Sequence, residues 1–285
     1  MSVVVTGATG QLGRLAVEAL LRRGADASKI IATGRDITRL KDLAERGVVT
    51  RRADFADPDS LTAAFEGADK LLLISTTTVE ERVANHVRAI DAAQNAGVSL
   101  VAYTSMSCAD SATTILATTH RATEEYLRAQ RVPSVILRNS WYLENYTVQL
   151  PSVLLHGAFV GSAGEGRVSA ATRADYADAA AVVLTTEDHT GAIYELGGDE
   201  AFTLTEFARV VAAAAGEPIV YTDLPAEKFA EALTSAGVPA DLAHVLADAD
   251  LGLRRGELFT DSGDLSRLIG RPTTSLADAV ADALR

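Results

Sequence analysis

The chain has 285 residues, 48% hydrophobic and 22% charged, which fits a globular protein of one large or two small domains and excludes a wholly disordered one. Only 5% is aromatic, so the core must rest on Ala, Val and Leu. With 26 basic against 38 acidic residues the net charge is -12 at pH 7, which argues against nucleic acid as a partner and against an anionic membrane surface. The arginine pairs at 22–23, 51–52 and 254–255 are isolated.

Short β-rich runs alternate with helical patterns along the first half. Strands are expected at 2–6, 30–33, 48–52, 70–74, 99–104 and 134–138, mostly as near-continuous apolar stretches of the kind buried on both faces. Helices are expected at 12–23, 38–45, 58–65, 79–96 and 117–129, with Asp57 capping and Pro58 in the first turn of the third. Such alternation means right-handed βαβ units and a parallel sheet. The rhythm breaks over 139–173, which is richer in Gly and aromatics. A helix follows at 176–185, capped by Asp175, and a strand at 192–196. The tail reads as helices at 205–214, 226–236, 241–249 and 275–284, with Thr203 and Glu206 marking one entrance.

The strongest motif is Thr6-Gly7-Ala8-Thr9-Gly10-Gln11-Leu12-Gly13, between the first strand and the first helix. Gly7 permits the tight turn, Gly10 lets the backbone approach a pyrophosphate, and Gly13 permits close packing of helix on strand. The helix N-terminus offers N–H groups and a positive dipole end to phosphates. After the second strand comes Thr33-Gly34-Arg35-Asp36. Arg35 suits a ribose 2′-phosphate and so favours NADPH, while Asp36, one position on, would suit NAD. Asp54 and Phe55 after the third strand could cap an adenine, and Ser75, Thr76 and Thr77 after the fourth could line the dinucleotide path.

The Tyr-x-x-x-Lys relay of short-chain dehydrogenases is absent: none of the seven tyrosines has a lysine four residues later. Either the protein binds the nucleotide as a sensor, or its substrate needs little acid–base help. No His, Cys, Asp or Glu set has metal-ligand spacing, and the lone Cys108 has no His or Lys beside it to activate it.

The sequence resembles the NmrA-like branch of the atypical short-chain dehydrogenases, and within it the bacterial NADPH-dependent type 2 quinone oxidoreductases. The resemblance spans essentially the whole chain. It rests on the glycine turn, on the segments at 70–75, 102–105, 137–146 and 171–176, and on the tail at 268–274. The run Asn139-Ser140-Trp141-Tyr142-Leu143-Glu144-Asn145-Tyr146 and the tail Gly270-Arg271-Pro272-Thr273-Thr274 are its most specific parts. The resemblance implies NADPH with Arg35 near the 2′-phosphate, a nicotinamide lying between the sheet edge and residues 139–145, and no Tyr/Lys pair. Related reductases of the branch carry a lysine at the position of His120, and one near relative reduces triphenylmethane dyes.

A quinone is an electron-poor acceptor, so the protein mainly has to stack it on the nicotinamide and exclude water. The candidate catalytic residues are Asn139, which would position a carboxamide or a quinone oxygen, His120, which would donate a proton or hydrogen bond, and Tyr142. Trp141, Tyr142 and Tyr146 are expected to form a flat-walled apolar pocket, with Asn145 beside the cofactor. Arg82 and His86, four apart on one helix, face either the cofactor or solvent.

The expected fold is α/β: a Rossmann-like doubly wound parallel sheet over 1–138, completed by roughly 174–198, binding NADP. Residues 139–173 and 199–285 form a smaller, mostly helical substrate lobe. The expected partner is a small-molecule quinone, without nucleic acid or membrane insertion, and monomer and homodimer are both compatible. No apolar run reaches the ~20 residues a bilayer requires, and no basic leader is visible. The single cysteine fits a cytoplasmic setting. The competing reading is an NADP(H)-binding redox sensor of the NmrA type, and a dye reductase stays open beside it.

Overall fold

The computed structural model describes all 285 residues. In chain order the elements are β1 (Val3–Val5), α1 (Gln11–Arg22), β2 (Ile30–Gly34), α2 (Lys41–Glu45), β3 (Val49–Arg52), α3 (Pro58–Phe65), β4 (Lys70–Leu73), α4 (Arg82–Asn95), β5 (Leu100–Met106), α5 (Ile115–Ala129) and β6 (Ser134–Asn139). There follow α6 (Glu144–Thr147), α7 (Leu150–His156), β7 (Ala158–Gly161), α8 (Arg173–Thr185), β8 (Ile193–Leu196), α9 (Leu204–Ala215), β9 (Val220–Asp223), α10 (Ala226–Ser235), α11 (Ala240–Arg254), α12 (Asp264–Ile269) and α13 (Leu276–Ala283).

Seven strands form one parallel sheet in the order β3-β2-β1-β4-β5-β6-β8. β1 lies inside it, with Val4 opposite Ile31 of β2 on one side and Leu71 of β4 on the other. The chain runs outward through β2 and β3, then crosses back to β4. Right-handed crossovers therefore place α1 on one face and α3, α4 and α5 on the other. Alternation along the strands supplies each face. Val4, Ile31, Leu71, Leu73, Val101, Tyr103 and Ile136 pack with Leu61 and Phe65 of α3, Ile90 of α4 and Leu127 of α5. On the other face α1 buries Leu12, Ala16, Val17, Ala19 and Leu20, and α8 packs along it. α8 is buried on nearly every side, which its run of small residues at Ala177, Ala179, Ala180 and Ala181 permits.

The chain divides into two compact units. The first is Met1–Ser105, Thr119–Arg138 and Arg173–Tyr194; the second is Met106–Thr118, Asn139–Thr172 and Glu195–Arg285. The segment Met106–Thr118, which the sequence reading kept with the first domain, thus packs with the second unit. That unit has its own core, built from Leu143, Tyr146, Phe159, Phe202, Phe207 and Val211. It also holds a second small sheet, in which β7 and β9 run parallel with Ala158 opposite Val220. Neither strand was expected: β7 lies in the stretch 139–173 where the rhythm breaks, and β9 in the tail that read as helical. α9 begins as expected, with Thr203 and Glu206 forming a reciprocal cap.

Two further local expectations change. The single helix expected at 38–45 is a 3-10 turn over Ile37–Leu40 followed by α2. Asp175 does not cap α8, because the helix already begins at Arg173 and Asp175 is buried in its first turn. No helix is long and apolar enough to cross a membrane.

Candidate active site

Four loops of the first unit follow the carboxyl ends of β1, β2, β3 and β4, which are neighbours in the sheet. Open α/β sheets bind ligands at this edge, in the crevice where strand order reverses, here between β1 and β4.

The glycine turn closes on itself. Gly7 has φ +61°, Gly10 N–H donates to Gly7 O at 2.8 Å, and Ala8 N–H donates to Thr33 O of β2 at 2.8 Å. A Cβ on Gly13 would lie 2.3 Å from Gly7 O, so α1 and the turn are in backbone contact. α1 starts at Gly10 without a side-chain cap and without an acidic residue in its first turn. Thr9, Gln11 and Leu12 complete the turn, and Thr9 packs over Gly34, where a Cβ would come within 2.6 Å of its methyl. Gly34 is a further candidate that motif reading missed; its only sequence signal is a glycine directly before Arg35.

Arg35 is exposed, while Asp36 is engaged. The Asp36 carboxylate accepts from Thr38 N–H at 3.1 Å and from Thr38 Oγ1 at 2.6 Å, and those bonds hold its pKa below the usual carboxylate value. Asp54 likewise serves its own turn, accepting from Ala56 N–H at 3.1 Å, and Phe55 O accepts from Arg88 Nε at 2.6 Å. If Arg35 meets a 2′-phosphate, Arg35→Ser removes one charge-assisted contact worth about 1.5–3 kcal/mol. KM for NADPH is then expected to rise roughly ten- to a hundredfold with KM for NADH nearly unchanged, by steady-state kinetics with both cofactors.

The loop after β4 is held at three successive N–H groups. Ile74 donates to Thr6 Oγ1 at 2.9 Å, Ser75 to Thr104 Oγ1 at 2.9 Å, and Thr76 to His86 Nε2 at 3.1 Å. Arg82 Nε donates to Thr76 O at 2.9 Å. Arg82 and His86 are buried, which rules out the solvent-facing placement the sequence left open. Because His86 Nε2 accepts, its proton is on Nδ1, which donates to Thr123 Oγ1 at 3.0 Å. Thr76 Oγ1 is buried and has no partner.

His120 lies in the second turn of α5 and is buried. Its Nδ1 lies 2.7 Å from the Tyr103 hydroxyl, a buried neighbour the sequence did not pick out. Burial first, and the Arg82 charge second, hold His86 down to about 3 and push His120 well below the usual imidazole value. His120 is therefore neutral and can donate only through a neutral ring N–H.

Both imidazoles have folded values below their unfolded value of about 6.5. Their contribution to stability is complete above that pH and declines as pH falls toward the folded values, by about 1.4 kcal/mol per pH unit for each histidine. Urea denaturation from pH 7 to pH 5 is expected to show the decline, and His86→Gln to reduce its slope by one histidine.

In the second unit, Asn139 ends β6 and is buried, with Oδ1 unpartnered, while its carbonyl accepts from Ser107 N–H at 3.0 Å. Ser107 Oγ is also buried without a partner, which makes Ser107 a second candidate that sequence reading passed over. Trp141 is half-buried and packs against the core, and Tyr142 is half-buried in a bridge to Ala171. Asn145 N–H donates to Tyr142 O at 3.0 Å. Tyr146 is not a pocket wall. It is 4% exposed and packs edge-on to Phe159 and Phe202, because α6 turns it inward with Leu143. Asp250 of α11 accepts from Ser162 N–H at 2.7 Å, and burial pushes its carboxyl up to about 6. No three His, Cys, Asp or Glu side chains converge as a metal site.

A profile of the NmrA-like family matches residues 1–253. The chain belongs to the NmrA-like family. Among NmrA-like relatives, quinone oxidoreductase 2 of Escherichia coli (strain K12) is 45% identical over 279 residues, covering 98% of this chain and 97% of its own. The crystal structure of the NADPH-dependent quinone oxidoreductase QOR2 of E. coli complexed with NADPH superposes with a TM-score of 0.96 at 44% identity, covering 99% and 100% of the two chains. Triphenylmethane reductase of Citrobacter sp. complexed with NADP(H) gives 0.93 at 36% identity, over 99% and 100%.

Proposed function

We propose that this NmrA-like protein is an NADPH-dependent quinone oxidoreductase that reduces quinones to hydroquinones without a Tyr-x-x-x-Lys relay. The observation that carries the cofactor choice is the engagement of Asp36 in its own turn beside an exposed Arg35. The acceptor class rests on the near full-length similarity to the E. coli quinone oxidoreductase.

The residues present fit NADPH. The uncapped start of α1 presents backbone donors for a pyrophosphate, and each unit holds an orphaned buried polar atom, Thr76 Oγ1 in the loop after β4 in the first and Asn139 Oδ1 at the end of β6 in the second. When bound, NADPH supplies a hydride to the acceptor. Arg35 pairs with the 2′-phosphate, and Asp54, Phe55, Ser75 and Thr76 line the adenine and ribose path. Asn139 offers Oδ1 to an amide N–H or its NH₂ to a quinone oxygen. His120, held neutral, stabilises charge on the acceptor by a hydrogen bond and leaves final protonation to water. Trp141, Tyr142 and Asn145 bound the nicotinamide. The first unit is the NADP-binding domain, the second the substrate lobe, and the setting is cytoplasmic.

The test is loss of absorbance at the reduced-nicotinamide band. NADPH or NADH is mixed with the protein, with and without a benzoquinone, and the uncatalysed rate is subtracted. Fast, NADPH-selective turnover is expected. Tight binding without turnover on quinones or dyes would favour the sensor, and dye turnover alone the triphenylmethane reading. Asn139→Ala is expected to lower kcat/KM for the quinone at least tenfold; unchanged turnover in both Asn139→Ala and His120→Ala would remove their assigned roles.

A further inference from the structure

The hydrogen bonds around Thr76 form a two-rung ladder between helices. Arg82 and His86 are one turn apart on α4, and Thr119 and Thr123 are one turn apart on α5. On one rung Arg82 donates from Nε to Thr76 O at 2.9 Å and from a terminal nitrogen to Thr119 Oγ1 at 2.9 Å. On the other, His86 accepts from Thr76 N–H at 3.1 Å and donates to Thr123 Oγ1 at 3.0 Å, and Thr123 Oγ1 donates onward to Thr119 O at 3.1 Å. Both backbone polar groups of Thr76 are thus gripped by side chains brought from elsewhere. What remains of its hydrogen-bonding capacity is the orphaned Oγ1.

This arrangement is costly as a stability device. A buried guanidinium and a buried imidazole must be desolvated, and well-packed apolar side chains of similar volume do as well or better for stability. Fixing a single backbone conformation is a different gain. A loop already ordered before its ligand arrives does not have to be ordered by binding, so affinity rises without a new contact. The gripped residue follows β4, at the crevice beside β1 where the strand order reverses.

We infer that Arg82 and His86 are positioning residues for the dinucleotide: they fix the Thr76 peptide so that the Thr76 hydroxyl is presented to a ribose hydroxyl or phosphate oxygen at the β1–β4 crevice. This rests on the NADPH reading above. Neither residue touches the cofactor; each acts through Thr76.

NADPH dissociation constants from fluorescence titration test it, together with melting temperature and steady-state kinetics. His86→Leu and Arg82→Met are each expected to raise the NADPH dissociation constant at least tenfold. At saturating NADPH, kcat stays within threefold and the quinone KM is unchanged. His86→Gln, whose amide oxygen can still accept from Thr76 N–H, is expected to return the constant to within threefold of the parent. Thr76→Val is expected to weaken binding to a similar extent, and much less so in the His86→Leu background, since both act through one contact. A folded His86→Leu with parental affinity, a loss confined to kcat, or fully additive Thr76→Val and His86→Leu effects would each overturn the proposal. Should His86→Leu not fold, amide exchange at Thr76 in the unliganded parent protein decides: slow exchange is expected, and exchange at the open-loop rate overturns it. If the parent itself does not bind NADPH, the cofactor reading fails instead; parental binding with unaffected variants sinks the ladder alone.

Discussion

Gly13→Ala is expected to weaken NADPH binding by roughly a hundredfold or more and to lower stability as well. The added Cβ would sit 2.3 Å from Gly7 O, 2.7 Å from Gly7 C and 2.8 Å from Ala8 Cα. All three are backbone atoms of the turn itself, so no side chain can swing aside. The start of α1 must lift from the β1 turn, which opens the cradle of N–H groups a pyrophosphate would use. Gly10→Ala meets only Gly7 O, at 3.2 Å, and is expected to disturb the unliganded protein far less. Fluorescence titration with NADPH and urea denaturation of both variants measure the contrast. Equal binding by Gly13→Ala and the parent would mean that the turn is not the phosphate site.

Arg138→Ala is expected to cost about 3–5 kcal/mol of stability, because it strands a buried carboxylate. Arg138 and Glu124 are 5% and 3% exposed and pair in a fork, Nε to Oε1 at 3.0 Å and a terminal nitrogen to Oε2 at 2.7 Å. Ser105 Oγ adds a bond to Oε1 at 2.6 Å, so β5, α5 and β6 are joined at one carboxylate. Domains of ordinary stability have only ~5–15 kcal/mol in total, so the loss should be visible as a large shift in urea midpoint. Glu124→Ala should behave alike. The double change Glu124→Leu with Arg138→Met is expected to recover most of the loss, because it removes both charges and keeps the volume. A single variant within 1 kcal/mol of the parent would show that water reaches the pair.

What the sequence disclosed follows from locality. Strand β1, the glycine turn and α1 lie within 22 residues and each is set by its own pattern. The Thr203–Glu206 cap is a four-residue signal, and it appears as written. The pair β7 and β9 was not legible. Each strand is four residues long, and their partners are about sixty residues apart, so no local period announces them. The grip on Thr76 was hidden for the same reason, since it needs four side chains from two helices. Tyr146 differs, because its signal was present. Leu143, Tyr146, Leu150 and Val153 recur at helical spacing, and all four are buried. The aromatic cluster drew Tyr146 into the pocket reading although the stripe placed it in the core. Asp36 could be read either way until its bonds to Thr38 were seen.

The packing of α8 on α1 has a consequence for the order in which the protein can be made. α1 ends at Arg22, whereas its cover does not start until Arg173. At ~5–20 residues per second, roughly eight to thirty seconds of synthesis separate the two. Until then the side of α1 that α8 covers has no partner, even once every strand from β1 to β6 has been made. The first unit is thus finished late, and a ribosome stalled between β6 and α8 would hold a chain that needs a chaperone rather than a folded domain.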